Sequence, residues 1–148
     1  TGRNMSESTG WFYWAAMSAV FAALTAIFAK VGLEGVDSDL ATLIRTIIIV
    51  FVLGAFVWLT GKWTNPLTLS SRTLTFLALS ALATGASWVC YFRALKLGDA
   101  SQVAPVDKFS LVLVAVFAFI FLGERPGARE WFGIVLVATG VLVLAIKR

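Results

Sequence analysis

The chain has 148 residues, of which 59% are hydrophobic and 14% are charged, and its mean hydropathy is +0.90. A soluble domain is about half apolar and about a quarter charged, and a short chain has too much surface to hide such an excess in one core. The composition therefore predicts an integral membrane protein. The net charge of +4 is small and dispersed, so it forms no basic stripe of the kind that nucleic acid requires.

Five apolar runs follow one another along the chain, and each is close to the roughly 20 residues that a membrane-spanning helix needs. Barrel strands would alternate between apolar and polar residues, and these runs do not. The predicted fold class is therefore all-α: a polytopic membrane protein with five transmembrane helices joined by short connections. The predicted helices cover about residues 11–31, 40–60, 74–97, 103–122 and 129–146.

Glycines and short polar segments mark the ends of these helices. Gly32 and Gly35 are expected to end the first helix, and Gly61 to stop the second. Asp37, Ser38 and Asp39 supply side-chain oxygens for the start of the second helix.

The first ten residues are polar and are predicted to form an unstructured tail ahead of one five-helix domain over residues 11–148. Met5 is a candidate natural start, which would make residues 1–4 an artificial extension. The first apolar run lacks a charged start and a small-residue cleavage site, so it is expected to be a permanent span rather than a cleaved signal.

The distribution of basic residues gives little preference for one orientation in the membrane. Five spans place the termini on opposite sides, and orientation normally follows the Lys/Arg count of each side. Five basic residues lie on the N-terminal side and five on the other: Arg3, Lys62, Arg72, Arg125 and Arg129 against Lys30, Arg93, Lys96, Lys147 and Arg148. Two copies inserted oppositely would form an antiparallel dimer. Alternatively, a slight bias still fixes one orientation.

Tryptophan supplies a second pattern. Five of the six tryptophans fall at helix ends on the N-terminal side, as an interfacial belt does, whereas Trp88 lies within the third span. Tyr91 follows it by three residues, and Thr84 and Ser87 lie on a neighbouring stripe at helical spacing. Trp88 either fills a gap between helices or forms the aromatic wall of a solute cavity.

Ionisable residues inside the spans are costly and usually face a cavity or a partner. Arg45, Arg93, Asp107 and Lys108 form this set here. In one interpretation, Pro105 and Asp107 lie in the first turn of the fourth helix and Lys108 snorkels or pairs.

In the other interpretation, the fourth helix begins inside the membrane and Lys108 points into a cavity, where Arg45 adds a second donor to a carboxylate-bearing solute. Asp107 would then be the candidate site of a coupling proton. Thr25, one of two interior polar residues of the first span, is a further cavity candidate.

The stretch "YFRALKLGDASQVAPVDKFSLVLVAVFAFIFLGERP" resembles the signature of the drug/metabolite transporter superfamily, in its EamA-type branch. Single five-helix units of this type are similar to half of a ten-helix transporter built from inverted repeats, which implies a homodimer. Gly133 and Gly140 of the last span are candidate dimer-interface residues, since small residues let helices approach closely. The membrane-embedded glutamate of the related small multidrug resistance proteins is absent, so their cation-exchange mechanism is not implied.

These observations predict a secondary transporter of a small polar metabolite, anionic or zwitterionic, working by alternating access as an antiparallel homodimer in the inner membrane of a prokaryote. The alternatives are an accessory or structural membrane subunit without its own substrate, and a flippase of a lipid-linked head group. An enzyme is not expected: the chain has no histidine, one cysteine (Cys90) and no nucleophile–base set. No cofactor or metal is expected, and the expected partners are membrane lipid, a small-molecule substrate and a second copy of the chain.

Overall fold

The structure, a computed structural model, describes residues 5–146, with side chains from residue 10 onward. These residues form six α-helices and a short 3-10 turn, with no strand among them, which confirms the all-α prediction. The helices are α1 (Met5–Gly32), α2 (Ser38–Leu59), α3 (Ser71–Leu97), α4 (Ala100–Asp107), α5 (Ser110–Phe121) and α6 (Ala128–Ala145), and the 3-10 turn at Pro66–Thr68 lies between α2 and α3.

Five stretches of the described chain are long and apolar enough to cross a membrane, which confirms the predicted number of spans. They are Gly10–Gly32, Ser38–Leu59, Ser71–Leu97, Ala100–Phe121 and Ala128–Ala145. The helix α1 starts at Met5, whereas the sequence pattern predicts an unstructured tail up to residue 10. Residues 1–4, and Lys147 and Arg148 at the other end, lie outside the described residues.

The fourth span departs from its prediction in one respect, because it is two helices rather than one. It begins at Ala100 instead of Val103, so Pro105 lies inside α4 and not in a first helical turn. Proline has no N–H to donate and disfavours a continuous helix. The next amides bond three residues back: the Lys108 N–H donates to Pro105 O at 3.0 Å and the Phe109 N–H to Val106 O at 3.0 Å. Asp107 therefore ends α4, where the sequence analysis expects it to begin a helix.

The ends of α2 follow from its flanking residues. The Asp37 side chain caps the helix by accepting from the Asp39 N–H at 2.9 Å and the Leu40 N–H at 3.2 Å. At the other end Gly61 has φ 66°, a left-handed conformation that glycine adopts readily, and the Lys62 N–H reaches back to Val57 O at 3.1 Å. Both ends confirm the expected start and stop signals.

Two compact units make up the chain. In one unit, residues 32–97, α2 packs against α3; in the other, α4 and α5 pack against α6, and α1 belongs with them. Within this second unit the Lys30 Nζ donates to Gly98 O at 2.8 Å, joining the end of α1 to the turn before α4. The prediction of a single domain over residues 11–148 stays a prediction.

Few apolar side chains are buried inside the described chain. The buried ones are Ala26, Leu33, Phe92, Leu95, Ala118 and Val141. Large apolar side chains on every long helix are exposed instead, for example Phe51 at 73% and Phe121 at 77%. A soluble protein would not leave such surfaces to water, so these faces suit lipid or further protein.

Candidate functional site

A groove between α2 and α3 has a volume of ≈ 600 Å³. It lies within the unit of residues 32–97. Its lining residues are Asp39, Thr42, Leu43 and Thr46 from α2, and Leu77, Ser80, Ala81, Thr84, Gly85, Trp88 and Val89 from α3. On each helix they recur at spacings of three and four, so each set is one continuous helix face. We call this site the α2–α3 groove.

The threonine hydroxyl groups of the groove are oriented by their own helices. The Thr42 Oγ1 donates to Ser38 O at 2.8 Å, the Thr46 Oγ1 to Thr42 O at 2.7 Å and the Thr84 Oγ1 to Ser80 O at 2.9 Å. A hydroxyl that has donated its hydrogen keeps its lone pairs. The three threonines therefore offer the groove acceptors, which suit a solute that carries ammonium or hydroxyl donors.

Arg45 lies beside the aromatic end of the groove. Its guanidinium carbon is 4.5 Å from the centroid of the Trp88 ring and 4.9 Å from that of Phe92, distances at which a cation is attracted to a ring face. Arg45 is the eighth residue of α2, about 10 Å along the helix from its start. The Asp39–Arg93 and Asp107–Lys108 ion pairs do not include it. A cation inside a membrane span is thus held by aromatic rings beside the groove.

A second charged contact involves the groove residue Asp39. The Arg93 Nε donates to Asp39 Oδ1 at 2.9 Å and the Arg93 Nη2 to Asp39 Oδ2 at 2.5 Å, a bidentate ion pair that joins α3 to the first turn of α2. One turn further along α3, the Lys96 Nζ donates to Val36 O. These contacts tie the end of α3 to the beginning of α2.

The candidate residues from the sequence are distributed over both units. Arg45 and Trp88 are brought together, and Tyr91 packs edge-on against Phe92 with ring centroids 6.3 Å apart. Ser87 is exposed on α3, outside the groove lining.

The other unit holds Thr25, Asp107 and Lys108. The Thr25 Oγ1 donates to Phe21 O in its own helix at 2.8 Å. The Asp107 Oδ2 and the Lys108 Nζ are 3.7 Å apart, so the two charges at the break between α4 and α5 pair with each other. This local pairing agrees with the interpretation in which Lys108 pairs with its neighbour.

The predicted dimer glycines lie on an open face of α6. Gly133 and Gly140 are both exposed, and a Cβ atom added at either would have no heavy atom within 4 Å beyond its own helix. Neither glycine is needed for packing within the described chain. Their role in a dimer stays a prediction.

Sequence reasoning missed Asp39, Thr42 and Thr46 as groove residues. Asp39 was assigned to the helix start, a role that the structure gives to Asp37. The spacing of three and four between these polar residues, inside an otherwise apolar helix, is the signal that identifies a polar face.

Comparison with known proteins identifies the family of the chain. The sequence model of the EamA-like transporter family matches residues 9–146. The chain belongs to this family. This confirms the resemblance to the EamA-type branch and makes the chain a multi-pass membrane protein of a transporter family.

Two bacterial relatives illustrate the similarity. A Sinorhizobium sp. protein named "Uncharacterized transporter in cobO 3'region" is 56% identical over 142 residues, covering 96% of this chain and 99% of the relative. The Yersinia pestis (strain Pestoides F) "Probable 4-amino-4-deoxy-L-arabinose-phosphoundecaprenol flippase subunit ArnE" is 30% identical over 73 residues, covering 49% of this chain and 64% of the relative. No solved structure matches the chain.

Proposed function

We propose that this EamA-family protein is a secondary transporter of a small zwitterionic or anionic metabolite, and that the solute binds in the α2–α3 groove. The observation that carries the proposal is the position of Arg45, a cation within a membrane span, against the Trp88 wall of a hydroxyl-bearing groove. An accessory subunit without a substrate would have no need of a groove with this composition. Ionisable groups inside a membrane usually mark a solute or ion pathway.

The chemistry of the groove favours one kind of solute. Arg45 supplies a planar donor group that matches a carboxylate, while the oxygens of Thr42, Thr46 and Thr84 accept from an ammonium or hydroxyl group. Trp88 offers a flat apolar face to the body of the solute. An amino acid or a similar zwitterion uses all three features.

The proposed mechanism is alternating access in an antiparallel homodimer in the inner membrane of a prokaryote. Balanced Lys/Arg counts favour dual insertion, and the open Gly133–Gly140 face of α6 offers a surface for close helix contact. The break between α4 and α5 is a natural place for bending. Asp107 at this break remains the proposed site of a coupling proton.

A second candidate function is translocation of a lipid-linked head group. The observation that favours it is the similarity to a protein whose name describes a flippase subunit for a phosphoundecaprenol-linked sugar. The threonine oxygens and Trp88 suit a sugar as well as an amino acid.

Uptake into proteoliposomes tests the proposal. The purified chain is reconstituted, the vesicles are exposed to a defined mixture of amino acids, organic acids and sugars, and their contents are identified by mass spectrometry. Arg45→Gln should abolish uptake of the transported solute. The matched control is Arg72→Gln, because Arg72 also lies over a ring, 6.0 Å from the Phe76 centroid, but that ring is not part of the groove lining, whereas the Trp88 ring beneath Arg45 is.

The outcomes separate the candidates. Uptake that is lost in Arg45→Gln and kept in Arg72→Gln supports a solute transporter with its site in the groove. If no solute enters, the same vesicles are loaded with a polyprenyl phosphate that carries a fluorescent head group, and dithionite quenching measures its translocation. Translocation there would favour the flippase, and inactivity in both assays would favour an accessory subunit.

Orientation labelling tests the dimer separately. Single cysteines near Thr9 and after Arg148, in a Cys90→Ser background, are labelled from outside intact cells. Labelling of both termini in a substantial fraction of molecules supports dual insertion. Labelling of one terminus alone excludes an antiparallel homodimer.

A further inference from the structure

We propose that the Asp39–Arg93 ion pair is an exchangeable clamp: an anionic group of the solute replaces the Asp39 carboxylate on Arg93 and thereby releases α2 from α3. This inference rests on the proposed function, since it assigns the step by which a solute opens its own groove. It also names the chemical class of the recognised group, a carboxylate or phosphate with two oxygens available to one guanidinium.

The geometry of the pair makes exchange chemically reasonable. Arg93 uses two nitrogens on the two oxygens of Asp39, at 2.9 and 2.5 Å, which is the contact that a guanidinium makes with any carboxylate or phosphate. The side chains of Arg93 and Asp39 are 60% and 48% exposed. A solute anion can therefore approach the pair and offer the same two bonds.

The pair is also placed where a solute in the groove would meet it. Asp39 is itself part of the groove lining, one turn of α2 before Thr42. A carboxylate that moves along the groove can reach Asp39, whose two oxygens accept from Arg93. A carboxylate of the groove lining is thus bonded to a cation that is not itself part of the lining.

The neighbouring charges favour an anion as the competitor. The Asp37 carboxylate is occupied by the capping bonds to the first amides of α2. Lys96 donates to the Val36 carbonyl, and Arg45 lies further along α2 against its rings. Arg93, Lys96 and Arg45 are thus three cations of α2 and α3, with Asp39 as the bidentate carboxylate on Arg93 and Asp37 as a second negative charge that acts on Arg93.

Exchange would have a mechanical consequence for the groove. Of the side-chain contacts described above, Asp39–Arg93 is the ion pair that joins the first turn of α2 to α3, and the Lys96 contact is to a residue before α2. Once Asp39 leaves Arg93, the first turn of α2 is free to move and the buried Thr42 behind it becomes accessible.

Accessibility of position 42 measures this opening without knowledge of the natural solute. The full chain with Thr42→Cys and Cys90→Ser is placed in phosphatidylcholine vesicles, and the rate of labelling by N-ethylmaleimide is recorded. Benzoate is the anionic probe and benzamide its uncharged analogue, both at constant ionic strength so that general screening of charges is held fixed. A buried reporter elsewhere, Ala118→Cys, detects global unfolding.

We expect benzoate to raise the labelling rate at position 42 about two- to fivefold, the size of effect that a partly exposed ion pair supports. Benzamide should leave the rate unchanged. Asp39→Asn should give the high rate without any probe and remove the response to benzoate. The reporter at position 118 should label slowly throughout.

Three results would overturn the proposal. A rate that responds to Asp39→Asn but not to benzoate would make the pair a permanent structural clamp. An equal response to benzamide would show that the apolar ring opens the groove. No response to either the probe or Asp39→Asn would show that the pair does not control access.

Two further arms identify the source of the anion. Phenylphosphonate replaces benzoate to test a free phosphate-like group, and phosphatidylglycerol is added to the vesicles to test a lipid phosphate. A response to phosphatidylglycerol alone would show that lipid head groups, and not a solute, displace Asp39 from Arg93. That result would overturn the proposal that a solute opens the groove. The assay requires no transport, so a failure of uptake with a positive response at position 42 would reject the proposed function and leave the clamp standing.

Discussion

The α2–α3 groove and the break between α4 and α5 both bring charges into apolar spans, but they hold those charges differently. In the unit that contains the groove, Arg93 donates to Asp39, which lies 54 positions earlier in the chain. Arg45 of α2 is held by aromatic rings of α3. At the break, Asp107 and Lys108 are adjacent residues that pair with each other. Contacts across helices fix a group in place, whereas a local pair moves with its own segment.

This difference assigns different tasks to the two regions. Recognition of a solute needs donors and acceptors whose positions are determined by packing, which the groove provides. A change of conformation needs a segment that bends and a group that changes its contacts as it does so, which the broken span provides. We therefore expect substitutions in the groove to change apparent affinity, and substitutions at the break to change turnover or coupling.

After Arg45→Gln, the largest effect on apparent affinity is expected from loss of the aromatic wall. Trp88→Ala removes both a groove surface and the ring against which Arg45 is held, and should reduce apparent affinity for the solute about 30-fold, the equivalent of about 2 kcal/mol. Uptake at graded solute concentrations measures it. Trp58→Ala is the matched control, since Trp58 is an exposed tryptophan of α2 outside the groove. Similar losses in both variants would contradict a specific role for Trp88.

The next effect concerns coupling at the break. If Asp107 carries the coupling proton, a gradient of one pH unit supports about tenfold accumulation of the solute, because each unit is worth about 1.36 kcal/mol per proton. Asp107→Asn should abolish this accumulation and leave solute exchange without a gradient intact. Proton-driven accumulation that survives in Asp107→Asn would remove Asp107 from the coupling mechanism.

A smaller change is expected when one groove acceptor is removed. Thr84→Val keeps the shape of the side chain but loses the oxygen, and should weaken apparent affinity about fivefold, as loss of a hydrogen bond of about 1 kcal/mol does. Thr75→Val controls for the helix itself, since the Thr75 Oγ1 makes the same kind of bond, to Ser71 O at 2.8 Å, away from the groove. Equal affinities in the two variants would argue against Thr84 as a solute ligand.

The smallest effect on binding is expected at Pro105. Pro105→Ala allows α4 to continue toward α5, which favours a straight helix by up to about 3 kcal/mol of intrinsic propensity. We expect slower turnover, an unchanged apparent affinity and a raised melting temperature. Pro66→Ala, in the 3-10 turn, is the control. A fall in affinity with normal turnover would reverse the tasks assigned to the two regions.

Local sequence signals predicted much of the fold. The lengths of the apolar runs gave five spans, Asp37 caps α2 as its type and position indicate, and Gly61 has the left-handed conformation expected after a helix. The start of the fourth span was not predicted, because Pro105 is tolerated in a first turn and its preceding residues are also helix-compatible.

The site was harder to predict for a physical reason. Trp88 and Arg45 were identified singly, since an aromatic or a charge inside a span is conspicuous in the sequence. Their contact, and the pairing of Asp39 with Arg93, join residues more than 40 positions apart on different helices. Such contacts depend on how α2 and α3 pack, which the periodicity of either helix does not determine.

The claim that the solute occupies the α2–α3 groove is tested most directly by protection from labelling. A cysteine at position 84 or, as the control, at position 75 is introduced into a Cys90→Ser background, and maleimide labelling is followed with and without the solute identified by uptake. We expect the solute to slow labelling at position 84 and to leave the labelling rate at position 75 unchanged. Equal labelling rates at position 84 with and without a solute that the protein transports would contradict it.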